Sequence, residues 1–143
     1  MSRYLTPLLI VAALYVGWDH FNGTRDAQAI SSAGNEIVAS AFRDQRSGLQ
    51  VSGTGVVDRV LSDDNDGSRH QRFILEVSNG QTVLVSHNID LAARLNSLDR
   101  GDTVEFFGEY EWNADGGVIH WTHHDPARQR VGGWLKHEGR TVK

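Results

Sequence analysis

From residue 49 onward, apolar and polar positions alternate in short runs separated by turn residues. The runs "LQVSGTGVVDRV", "HQRFILEVS", "QTVLVSH", "DTVEFFGEYEWN" and "GVIHWTHH" carry the period of two that puts one set of side chains on each face of a strand. Five strands are predicted. Asn79-Gly80 and Asp115-Gly116 separate two of the strand pairs and predict hairpins. Gly53 and Gly55 allow the first strand to coil sharply. Between the third and fourth strands, Leu91, Leu95 and Leu98 have helical spacing and Gly101 follows. The fold class this order implies is mainly β: a small five-stranded OB-like barrel with a short helix between strands 3 and 4. A small α+β sandwich is the alternative.

Upstream, Ile37, Val38, Ala41 and Phe42 repeat at helical spacing and Gly48 follows, predicting a short helix over residues 35–46. Residues 20–35 read as a polar tether. Arg3 precedes an apolar run over residues 5–18, roughly 20 Å long as a helix against a ~30 Å hydrocarbon core. That length suits a signal peptide. The single A-x-A, Ala27-Gln28-Ala29, lies well past the run, so retention as a signal-anchor is favoured over cleavage. The competing reading is a buried N-terminal helix. The organisation expected is therefore 1–24 signal peptide or signal-anchor, 25–48 tether and short helix, and 49–143 barrel. Arg3 favours a cytoplasmic N-terminus. The body is then expected outside the cytoplasmic membrane, in the periplasm where one exists, with the membrane as a partner of the N-terminal segment.

The turns set registers. Taken as a two-residue loop, Asn79-Gly80 places Phe73, Leu75 and Val77 on the core face opposite Ser86, Leu84 and Thr82. Arg72 then faces His87 on the outer side, with His70 one step along. His70, Arg72, His87 and Asn88 are the candidate ligand-binding residues, framed by the loops "SDDNDGSR" and "NADGG". The Asp115-Gly116 turn pairs Glu111 with His120, Tyr110 with Trp121 and Glu109 with Thr122. Phe106, Tyr110, Trp112, Ile119 and Trp121 form the core face, with His123 on it. Glu109, Glu111, His120, Thr122 and His124 share the opposite face.

"HWTHHDP", residues 120–126, packs three histidines and an aspartate into seven residues. His120 and His124 lie about 13 Å apart along a regular strand, so they cannot both bind one ion. His120 opposite Glu111 is a candidate pair. Pro126 breaks the strand after Asp125. Glu109, Glu111 and His120 are the candidate catalytic residues. His87, Glu111, His120, His124 and Asp125 are the candidate metal ligands, for zinc, manganese, magnesium or calcium. Asp90 reads as a cap. "DDNDG" lacks the downstream glutamate of a calcium loop and reads as an ordinary turn.

Composition narrows the field. The chain has 143 residues, enough for one core, and its formal net charge of -4 argues against a dedicated nucleic-acid binder, which normally carries a basic face. With no cysteine there is no disulfide and no thiolate zinc site, so a metal must be held by His, Asp, Glu or Asn. There is no G-x-S-x-G, P-loop or dinucleotide fingerprint, which argues against covalent and nucleotide-dependent catalysis.

"HQRF", "HNID", "GEYEWN" and "GGVIHWTHHDP" together resemble a bacterial family known only as a domain of unknown function. The likeness covers residues 49–135 and implies no activity. Three functions stay open. The leading one is an exported, envelope-associated binding module for an unidentified small ligand, oligosaccharide or nucleic acid. The others are a metal-dependent hydrolase, of nuclease type for example, with Glu109 as general base, and a membrane-anchored protein-interaction module.

Overall fold

The computed structural model describes residues 6–78 and 80–143, with side chains from residue 23 onward. The elements are α1 (Thr6–Arg43), β1 (Leu49–Val60), β2 (His70–Ser78), β3 (Gln81–Asn88), β4 (Thr103–Glu111), β5 (Val118–His120), β6 (Trp134–His137) and β7 (Arg140–Val142). The chain divides into two compact units, Met1–Ile30 and Ser31–Lys143. Arg3 and Leu5 lie outside the described residues, as do the side chains of the rest of the apolar run. Among the described residues no helix is long and apolar enough to cross a membrane. Residues 20–35, expected as a tether, are helical and continuous with the helix expected further on.

The second unit is a closed five-stranded barrel. Its strand order is β1-β2-β3-β5-β4, and β1 pairs with β4 to close it. β3 and β5 run parallel, and the other pairs are antiparallel. This is the connectivity of an OB-like barrel. β1 closes it by pairing along one edge with β4, Leu49 opposite Tyr110 and Val56 opposite Thr103, and then with β2 along the other. The coiling needs glycine where strands approach closely. A Cβ on Gly53 would lie 2.8 Å from Phe106 Cζ, and one on Gly55 would lie 2.9 Å from Leu75 Cβ.

Inward residues of alternating strands fill the barrel: Val51, Phe73, Leu75, Val83, Val85, Phe106, Tyr110 and Ile119 are all buried. Each such side chain contributes about 1.5–3 kcal/mol by leaving water. The end of α1 packs against this core through Val38 and Ala41. Asn35 locks it there: Nδ2 donates to Thr54 O at 2.8 Å and to Val77 O, and Oδ1 accepts from Thr54 N.

Within the second unit, the framework of elements departs from expectation in four ways. Residues 89–102 form turns, not a helix. Side chains of the barrel take over the backbone pairing a helix would supply. Gln71 donates to Leu95 O and accepts from Leu95 N, both at 2.8 Å, and His87 reaches Ala93 O at 3.0 Å. Leu95 and Leu98 are thereby held in the core.

The second departure is a bulge between Glu76 and Ser78, beside the turn whose Asn79 lies outside the described residues. Ser78 still pairs with Gln81, but Phe73 now faces Val85 and Arg72 faces Ser86. A one-residue slip exchanges the faces of β3. Val83, Val85 and His87 turn inward, and Leu84 and Ser86 turn outward. Third, β4 and β5 pair two residues away from the expected register, Glu109 with His120 and Glu111 with Val118. A shift of two leaves the faces unchanged. Fourth, β6 and β7 form a hairpin on β4 that was not anticipated.

Candidate metal centre

Glu109 and Glu111 point outward from β4, because Tyr110 between them points in and is fully buried. His120 points outward from β5, directly opposite Glu109. His120 Nε2 lies 3.7 Å from Glu109 Oε1 and 3.7 Å from Glu111 Oε1. These distances are too long for hydrogen bonds. They fit ligand atoms around one ion, since bonds of about 2.0–2.2 Å give a tetrahedral edge of about 3.3–3.6 Å. One donor atom from each of the three residues lies within 4.8 Å of the others. Among the described residues, His120 Nε2 is the only buried side-chain polar atom without a hydrogen-bond partner.

The chain after His120 frames this cluster. Trp121 has φ 53°, a left-handed conformation costly for a bulky residue, and it ends the alternation. Thr122 and His123 are consequently both buried, whereas Trp121, expected in the core, is half-buried beside the His120 ring. Asp125 then organises the turn. Its carboxylate accepts from the backbone N–H of Ala127, Gln129 and Arg130 at 3.0, 2.8 and 2.9 Å. These bonds, that from Gln129 foremost, hold its carboxyl below the usual range. The turn delivers Arg130 to the cluster. Arg130 Nη1 donates to Glu109 Oε2 at 2.9 Å, and the guanidinium lies 4.4 Å above the Trp121 ring.

Of the expected catalytic residues, all three come together. The other expected ligands do not join them. His87 is 0% exposed. Its Nε2 donates to Ala93 O at 3.0 Å, which leaves Nδ1 to accept from the Thr122 hydroxyl at 2.8 Å. Both nitrogens are satisfied on the inner side of the barrel, and burial pushes its pKa down to about 4. His124 is exposed, and Asp125 is committed to backbone amides. At the far end of β2 and β3, His70 Nδ1 is bonded to Ser68 O at 2.7 Å, Arg72 Nε to Ser62 O at 3.0 Å and Asn88 Oδ1 to Asp90 N at 2.9 Å. Asp90 accepts from Arg69 through both N and Nε. His70, Arg72 and Asn88 remain on the outer face, His70 opposite Asn88, and of the four expected ligand-binding residues His87 alone turns inward. Thr122, expected on the outer face, is inside.

Sequence reasoning missed Arg130 and the place of Trp121 beneath its guanidinium. The Asp-Pro pair signals a turn, but nothing local shows that the turn returns to Glu109. Gly133 carries a further trace of this return: a Cβ there would lie 2.1 Å from Trp121 O.

The profile of the family described as "Protein of unknown function (DUF3465)" matches residues 25–143. The chain belongs to this family. The DUF3465 match therefore takes in the second half of α1, the whole barrel, the Asp125 turn and the β6–β7 hairpin. No curated protein matches the chain.

Proposed function

We propose that this chain is a binding module in which an OB-like barrel holds a divalent cation on its outer face through Glu109, Glu111 and His120. The observation that carries the reading is the buried Nε2 of His120, without a hydrogen-bond partner and 3.7 Å from one oxygen of each glutamate. A nitrogen and two oxygens suit zinc or manganese better than magnesium or calcium, which prefer all-oxygen shells. Hydrolysis fits less well. With Glu109 as a ligand its second oxygen is occupied by Arg130, so the cluster has no spare carboxylate base. With Glu109 as the base, only two ligands remain.

Calorimetric titration of the purified protein with zinc tests this. One equivalent should bind to the wild-type chain. No binding of zinc or manganese would remove the reading. Export of the barrel, with the N-terminal run as signal or anchor, belongs to the same proposal and is supported by Arg3 and the apolar run over residues 5–18. A reporter fused after Lys143 should be active outside the cytoplasm. Activity confined to the cytoplasm would overturn that part.

A further inference from the structure

We propose that the centre receives an oxyanion, the carboxylate or phosphate end of a ligand, at the cation's open position, with Arg130 as the second grip. This rests on the cation reading above. Three protein ligands leave a zinc-type ion at least one free position. The ion's charge offsets the two glutamates, and Arg130 sets a second cationic group beside it.

Arg130 is built into place rather than loose on the surface. Its backbone N–H is held by Asp125, its Nη1 by Glu109 Oε2, and its guanidinium plane by the Trp121 ring. Only one of its N–H groups is used on Glu109. Glu109 would share its carboxylate between the ion, through Oε1, and Arg130, through Oε2, which brings the guanidinium close to the ion's position. A planar fork next to a metal is suited to an oxyanion that spans both, one oxygen on the ion and another on the guanidinium. The geometry does not separate carboxylate from phosphate, so the test must.

Cobalt(II) replaces zinc as the probe, since its visible bands report changes in coordination. With cobalt saturating, the protein is titrated with inorganic phosphate and, separately, with acetate. The proposal expects saturable band shifts with at least one anion, and the tighter anion names the ligand's end group. In Arg130→Gln, with cobalt again saturating, anion affinity should fall at least tenfold, and Arg130→Lys should recover part of it. Cobalt bands unmoved by either anion would overturn the proposal and leave the cation reading standing, as would an Arg130→Gln protein that binds the anion as tightly as wild type. No cobalt bands at all would overturn both.

Discussion

The two sides of the barrel wall put histidine to opposite uses. Inside, His87 is fully buried and both ring nitrogens have partners, Thr122 Oγ1 and Ala93 O. Outside, the His120 side chain is 34% exposed, and its Nε2 has no hydrogen-bond partner, only two carboxylate oxygens at 3.7 Å. A buried polar group with its bonds complete is structural: it ties the segment after β3 to the barrel floor. A nitrogen 3.7 Å from two carboxylate oxygens and without a hydrogen-bond partner is the atom at which we propose that a cation binds. Satisfaction, more than residue type or closeness in sequence, separates the two roles.

The comparison breaks most readily at the inner site. His87→Ala should destabilise the fold by about 3 kcal/mol, through a cavity and the unpaired Thr122 hydroxyl and Ala93 carbonyl. Urea denaturation measures this. Zinc affinity should stay within threefold of wild type. A His87→Ala protein of unchanged stability would contradict the structural role.

Acid should act through the same residue. Burial holds the folded pKa of His87 at about 4, against 6.5 ordinarily. The charges of His123 and His70 push in the same direction. Between these values the unfolded chain binds the extra proton, so stability is full above about pH 6.5 and falls as pH drops towards 4. The loss approaches roughly 3 kcal/mol. Burial of His123 lowers its pKa as well and adds to the trend. Denaturation midpoints across this range should fall more steeply in wild type than in His87→Ala. Equal slopes would assign the acid sensitivity elsewhere.

At the outer site, His120→Ala should weaken zinc binding about a hundredfold, equivalent to about 2.7 kcal/mol, yet change folding stability by less than about 1 kcal/mol. Calorimetry and denaturation together read both. A large stability loss with zinc affinity intact would reverse the assignment of the two histidines. The smallest effect belongs to Arg130→Gln in the metal-free protein. Its ion pair with Glu109 is half-exposed, so folding stability should change by under about 1 kcal/mol, again by denaturation.

The grouping of Glu109, Glu111 and His120 on one face was legible because it depends only on strand period. The register of β4 and β5 differs by two residues from the simple turn rule, and two is the period. His87 was not legible for the converse reason. One bulged residue at Val77 reverses every side chain of β3, and Val77 and Ser78 are ordinary strand residues that announce no bulge. The strand order of the barrel could be read from the succession of elements. The segment after β3 could not: Leu91, Leu95 and Leu98 imitate a helix, while the partners that replace helical bonds, Gln71 and His87, come from distant strands. Trp121 in a left-handed conformation contradicts local preference. The β6–β7 hairpin did leave a signal, Glu138-Gly139 between alternating residues, of the same kind as the two turns that were read.

The most direct measurement is anomalous diffraction at the zinc edge from crystals of the zinc-loaded protein. One peak should lie between β4 and β5, bonded to His120 Nε2 and to oxygens of Glu109 and Glu111 at about 2.0–2.2 Å. Zinc found only on His70 or His124, or no peak in the loaded crystals, would contradict the account.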